Sequence, residues 1–244
     1  MQKKRLIVVA CEVVRTEVDA LASKSPHDID IKYVDQGLHN VGKIKMPIEL
    51  QKILDEIEQA KYDAILLFYG LCNNGVVGLR ASIPIIIPRA HDCITFFLGS
   101  KEKYREYFDS HPGTYFFASG WNEETFRGNE SLELEKMKQE YIDKYGEDNA
   151  EYLMEVLAAP PQHYKRLSFI NTGTGSVDSY RASAKRFAEE AGWEFEEAVG
   201  ETTLFQKFLN GEWDSDSFLT VPSGSTIQPS YRDDIIKIGE PQTK

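Results

Sequence analysis

Short, unbroken apolar runs separated by helix-length stretches constrain this chain more than any other feature. Leu6–Ala10, Ala64–Phe68 and Ile85–Ile87 carry no polar residue between the apolar ones. A strand with one wet face alternates; a run that does not is covered on both faces, as in a parallel sheet sandwiched by helices. Ile29–Val34 does alternate and reads as a further strand, followed by the polar loop Asp35–Asn40. Thr114–Phe117, Leu167–Asn171, Trp193–Glu197 and Phe218–Val221 complete the strand set. Helices are expected over Val13–Ser23, from Pro47 onward, over Ser100–Phe108 with Ser100 as N-cap, over Ser179–Ala191 and over Thr202–Leu209. Asn73 to Leu79 reads as a short glycine-bearing helix start.

The texture changes in the middle. Glu130 to Ala158 is charged and helical with a broken apolar stripe, split near Gly146 and stopped by Pro160-Pro161. The expected fold class is α/β, with mostly parallel sheet and helices on both faces. Two α/β lobes surround a helical insert: residues 1–128 as the first lobe, 129–160 as the insert, 161–244 as the second lobe. The tail after Pro229 is expected to be peripheral.

A formal net charge of −11 leaves no basic surface for nucleic acid. No apolar run approaches the roughly 18 residues of a membrane span. The basic start Met1–Arg5 is followed by an apolar run that meets Glu12 at once, too soon for a signal peptide. Three cysteines in 244 residues do not make a disulfide framework, so a reduced, cytoplasmic setting is expected.

Those cysteines all follow apolar runs. Leu6–Ala10 leads into Cys11, Ala64–Leu71 into Cys72, and Ile83–Ala90 into His91-Asp92-Cys93. If the runs are neighbouring parallel strands, three thiols and an imidazole meet at the carboxyl edge where open α/β sheets bind ligands. One cysteine at a strand end is small apolar filling. Three on one edge beside a histidine read as metal ligands: Cys11, Cys72, His91 and Cys93. His91 and Cys93 lie two apart, so one extended loop offers both. Three sulfurs and one nitrogen suit zinc, which gives His91 a role; the alternative is a four-iron–four-sulfur cluster with an open iron.

Further candidates cluster near this edge. Asn73 and Asn74, ahead of Gly75, offer backbone N–H groups for orienting an anion, and Arg89 offers a guanidinium to hold it. His39 reads as a solvent-facing loop histidine, with an extra ligand or a base as the other reading. In the second half, Thr172 and Gly173 follow a strand in a turn that lacks the full dinucleotide pattern, and Gly224 lies in a similar small-residue loop. Both loops are expected to face the metal edge as cofactor contacts, with Trp121 as an aromatic wall.

Tyr69–Gly75, Ile87–Ile94, Leu98–Ser100, Ser119–Trp121 and Phe218–Pro222 with Gly224 resemble the domain of unknown function 1638 family, over nearly the whole chain. Ser223 departs from that pattern, where a second proline is expected. The resemblance implies a link to corrinoid-dependent methyltransferase systems. Zinc enzymes that move methyl groups between corrinoids and thiols use a His-x-Cys pair with a distant cysteine, and His91, Cys93 and Cys72 or Cys11 repeat those ligand types. The expected function is a zinc–thiolate-dependent transferase or lyase of one-carbon or thiol metabolism. Its substrate is a small molecule, a thiol, and its partner a corrinoid protein or methyltransferase. The alternative is a non-catalytic metal- or corrinoid-binding accessory protein.

Overall fold

The structure, a computed structural model, describes residues 2–39, 42–120, 138–139, 141–158 and 164–239. The apolar runs form the expected parallel strands: β1 (Arg5–Cys11), β2 (Asp28–Val34), β3 (Ala64–Phe68) and β4 (Ile85–Pro88). Every residue of β3 and β4 is buried, as their unbroken apolar character requires. Strand order is β2-β1-β3-β4 with β8 (Phe218–Val221) antiparallel at the edge.

The chain steps from β1 to β2 in one direction, then crosses back over β1 to β3. Right-handed crossovers therefore send helices α1 (Arg15–Ala22) and α2 (Gly42–Asp55) to opposite faces. They leave a switch-point crevice between the carboxyl ends of β1 and β3. On one face Phe68 packs against Phe96 of helix α3 (Ile94–Leu98), at 5.8 Å between ring centroids. It also meets Phe205 and Phe208 of helix α7 (Thr203–Leu209), at 5.5 and 4.5 Å. Helix α4 (Lys101–Ser110) starts at Ser100, whose side chain accepts from the Lys103 N–H as the sequence predicts.

A second parallel sheet has the order β5 (Thr114–Phe117), β6 (Arg166–Asn171), β7 (Glu194–Val199). Its small core joins Phe117, Leu167 and Phe169 to Ala184 and Ala188 of helix α6 (Val177–Ala191). Helix α5 (Glu147–Ala158) begins directly after Gly146, at φ +82°, where the sequence places the split.

Four expectations need correction. β5 pairs with β6 and β8 with β4, so two strands lie across the boundaries drawn at 128 and 161. A run of apolar residues marks a strand but says nothing about which sheet edge it joins. Helix α2 starts before Pro47, which lies inside it. The tail is not peripheral: Thr226–Pro229 pairs with Ile236–Gly239, and Ile235 and Ile236 are buried. No helix forms over residues 73–79, because the backbone there turns left-handed. Trp121 and Pro160-Pro161 lie outside the described residues. Among the described residues, no helix is long and apolar enough to cross a membrane.

Candidate thiol site at the carboxyl edge

Cys11 ends β1, Cys72 lies four residues past β3, and Cys93 sits at the head of α3. The last two are brought together by backbone. Leu71 N–H donates to Ala90 O and Cys72 N–H to His91 O, both at 2.8 Å. Gly70 makes this approach possible: a Cβ there would lie 2.7 Å from both Cα and N of Asp92, so any side chain would drive the two loops apart. All three thiols are free; Cys11 and Cys72 are buried and Cys93 partly so.

The Cys72 loop is strained. Cys72, Asn73 and Asn74 take φ values of +46°, +54° and +69° in succession. For a non-glycine residue this region costs roughly 1–2 kcal/mol, asparagine tolerating it best. Two asparagines thus serve the turn geometry, and the expected helix N-terminus for an anion is not there.

Burial dominates the electrostatics. It pushes the Cys11 thiol up to about 12, with Glu12 and Asp35 adding to the rise. It raises Cys72 and Cys93 as well, and in both Asp92 is the next cause, followed by Cys11 for Cys72 and by Cys72 and Cys11 for Cys93. Asp92 is itself raised by burial, opposed by the Tyr104 hydroxyl at 2.8 Å and the Ile94 N–H at 3.0 Å. Without a cation the three sulfurs hold their protons. A divalent ion would reverse that balance.

Tyr69, the residue after β3's end, lies among these thiols. Burial raises its phenol, and Cys11, Cys72 and Cys93 follow as causes in that order. The Tyr69 hydroxyl is buried with no hydrogen-bond partner; His27 Nε2 and Thr95 Oγ1 are the other such atoms among the described residues. His39 stacks on the Tyr69 ring, with centroids 6.3 Å apart, and its Nε2 lies 3.8 Å from Cys11 Sγ. The inner edge of the His39 imidazole is enclosed, which lowers its pKa, while the residue keeps an exposed face.

The other candidates are distributed elsewhere. The exposed His91 lines a separate cleft of about 860 Å³ with Tyr104, Arg105 and Phe108, its ring 6.2 Å from that of Tyr104. Arg89 is committed to backbone carbonyls: Nε donates to Ser215 O, and Nη1 to Asp234 O and Ile236 O. It clasps the buried Ile235, whose φ of +62° is unusual for a β-branched residue. Gly224 follows β8, which runs antiparallel to β4, so it lies at the amino-terminal edge; its N–H donates to Ala81 O. It does not face the thiols. Among the described residues, no three His, Cys, Asp or Glu side chains stand ready as a metal cage.

Thr172 joins a second, buried polar cluster around Glu17, and the exposed Gly173 lies beside it. Glu17 on α1 is fully buried, and both its carboxylate oxygens accept from Ser119 Oγ at 2.8 Å. Thr172 Oγ1 donates to Oε1 at 2.8 Å, and Gly173 N–H is taken by Asn171 Oδ1. Ser119 follows β5 and Thr172 follows β6, so Glu17 joins the two lobes. Gly120 is pressed there against Val13, where a Cβ would lie 2.0 Å from the carbonyl oxygen. Burial raises the Glu17 carboxyl, opposed by the two hydroxyls.

Sequence reasoning missed Tyr69 and Glu17 and undervalued His39. Glu17 did leave a trace: with Val14, Val18 and Leu21 it falls at i+3 on the apolar stripe of α1, an unusual position for an acid. Tyr69 left none, since a tyrosine closing a buried strand is ordinary.

No curated protein and no solved structure matches the chain. The model of one family, described as "Protein of unknown function (DUF1638)", matches residues 33–209, a span that holds Tyr69, Cys72 and Cys93 and begins after Cys11. With well over half of its length inside that match, the chain belongs to the DUF1638 family.

Proposed function

We propose that the carboxyl-edge cluster is a metal–thiolate site, with zinc as the expected ion and Cys11, Cys72 and Cys93 as its sulfur ligands. His39, with Nε2 3.8 Å from Cys11 Sγ, is the imidazole assigned to this set, and His91 lines the α4 cleft. The observation that carries the reading is that two buried thiols and one partly buried thiol lie at the switch-point edge near a buried hydroxyl that has no partner among the described residues. The donor set fits the ion: thiolate and imidazole are ligands zinc favours. The reading requires the thiols to rotate about χ1 into liganding distance when the ion binds. When bound, zinc supplies a positive charge that lowers the pKa of sulfur beside it.

The activity that fits is transfer or lyase chemistry on a thiol. The one-carbon setting, with a corrinoid protein or methyltransferase as partner, rests on family resemblance alone. Three free thiols are compatible with the reduced, cytoplasmic compartment that belongs to the same proposal.

Elemental analysis of protein purified without oxygen tests the site. About one zinc per chain with no visible band supports it. About four irons with a broad visible band would replace zinc by a cluster. Folded, anaerobic protein that takes up neither metal would overturn the proposal.

A further inference from the structure

The cleft of about 860 Å³ beside α4 has the size of a small-molecule site. One wall is the helix itself, none of whose residues is buried. Tyr104 and Phe108, one turn apart, lie with ring centroids 6.0 Å apart and planes within 14° of each other. His91 meets the Tyr104 ring at 6.2 Å. Phe108 is 56% exposed, so the fold leaves a large apolar ring on the cleft lining. The other wall is formed by Asp216 and by Arg232, Asp233 and Ile235. Two ion pairs cross between the walls: Lys101 Nζ to Asp216 at 2.9 Å and Arg105 Nη1 to Asp233 at 3.1 Å.

Charge on this lining is unbalanced. Lys101 and Arg105 are taken up by Asp216 and Asp233, and Arg232 acts on Asp234, outside the lining. Glu102, Glu106 and Asp109 remain, at i, i+4 and i+7 on α4, a stripe running beside Tyr104 and Phe108. Among the described residues Glu102 alone of the three has a cation within reach, Lys101 at 3.8 Å, already bonded to Asp216. Local helix physics opposes such a stripe. Like charges four apart repel, and Asp109 lies in the last turn, where the helix dipole disfavours an acid and no basic residue is present. A cation lying against the stripe removes that cost, and the neighbouring aromatic faces attract the same charge. We propose that the α4 cleft binds an organic cation, a quaternary ammonium ion with an aromatic or apolar group, that group on Phe108 and the charge against Glu106 and Asp109. An anion would meet the acidic stripe, and a bare metal ion would leave Phe108 without a partner. The site is separate from the thiol edge and does not depend on its reading.

Calorimetric titration of the full chain with benzyltrimethylammonium chloride tests the proposal, with sodium phenylacetate as an aromatic anion of similar size. Saturable binding of the cation, weakened by added salt, is expected, and none of the anion. Phe108→Ala and Glu106→Gln change exposed residues and should leave the urea midpoint unchanged. Each should weaken binding of the cation about fivefold. No saturable binding up to about 10 mM cation would overturn the proposal. So would equal binding of phenylacetate, which would make the cleft a general apolar surface. Unchanged affinity in both variants would place the cation elsewhere on the acidic surface and overturn it as well. If Phe108→Ala lowers the urea midpoint, Glu106→Gln decides alone.

Discussion

Two buried polar clusters in this chain differ in whether their hydrogen bonds close. Around Glu17, Ser119 and Thr172, which follow two strands of the second sheet, satisfy the carboxylate. Around Tyr69 the phenol has no partner among the described residues, burial raises the thiols with neighbouring thiols adding to the rise at Cys72 and Cys93, and the adjacent backbone is left-handed at three consecutive residues. A closed network joins two pieces of structure and has nothing left to offer a ligand. An open, strained one costs stability that only a bound group can return. Glu17 is read accordingly as a joint and the thiol edge as a site.

The strongest way to break this comparison is to remove the joint. Glu17→Ala strands two hydroxyls and opens a cavity, and should cost about 3 kcal/mol in urea unfolding near about pH 4.5. Glu17→Gln, which keeps the shape, should cost much less. The acidity of Glu17 adds a direction. Its folded pKa is raised above the unfolded one, so its contribution is complete below the unfolded value and is lost as pH rises through the folded value. Wild-type stability should therefore fall over that window and the Gln variant should not; parallel pH profiles would show that Glu17 is not the titrating joint.

Gly120→Ala attacks the same joint sterically. Its Cβ would meet the Val13 carbonyl, and overpacking of this kind costs about 1–3 kcal/mol. A stability change below that range, seen in the urea midpoint, would mean that the lobes yield easily.

At the thiol edge the expected effects are smaller because the native state is already compromised. Asn73→Ala should cost about 1 kcal/mol, since alanine lacks the short polar side chain that tolerates left-handed backbone, while Asn73→Gly should cost nothing. Equal effects of the two changes would show that the loop is not held by its dihedral angles. The smallest change is the sharpest. Tyr69→Phe in metal-free protein should shift stability by less than about 0.5 kcal/mol, because no bond is lost. A loss of more than 1 kcal/mol would reveal a hidden partner and erase the contrast with Glu17.

The legibility of the two clusters also differs. Cysteines at the ends of apolar runs are visible in one sequence, because a buried parallel strand announces itself and its end is where the run stops. The imidazole is not: the His-x-Cys spacing favours His91, whereas the fold turns His91 toward α4 and brings His39 from the β2 loop to Cys11. Arg89 illustrates the same limit. Its position two residues before His91-Asp92-Cys93 fits a substrate clamp, yet its guanidinium meets carbonyls more than a hundred residues away.

What the sequence determined by itself is therefore local: the α/β class, most strands and helices, the Ser100 cap, the split at Gly146 and the three thiols on a carboxyl edge. Each follows from periodicity or from a residue's own backbone preference. Tertiary structure alone decided which sheet β5 and β8 join, which histidine faces the thiols, that the tail is clasped, and that Glu17 links the lobes. Those outcomes depend on pairings between distant residues, where many partners satisfy the same local pattern and only packing and hydrogen-bond closure select one.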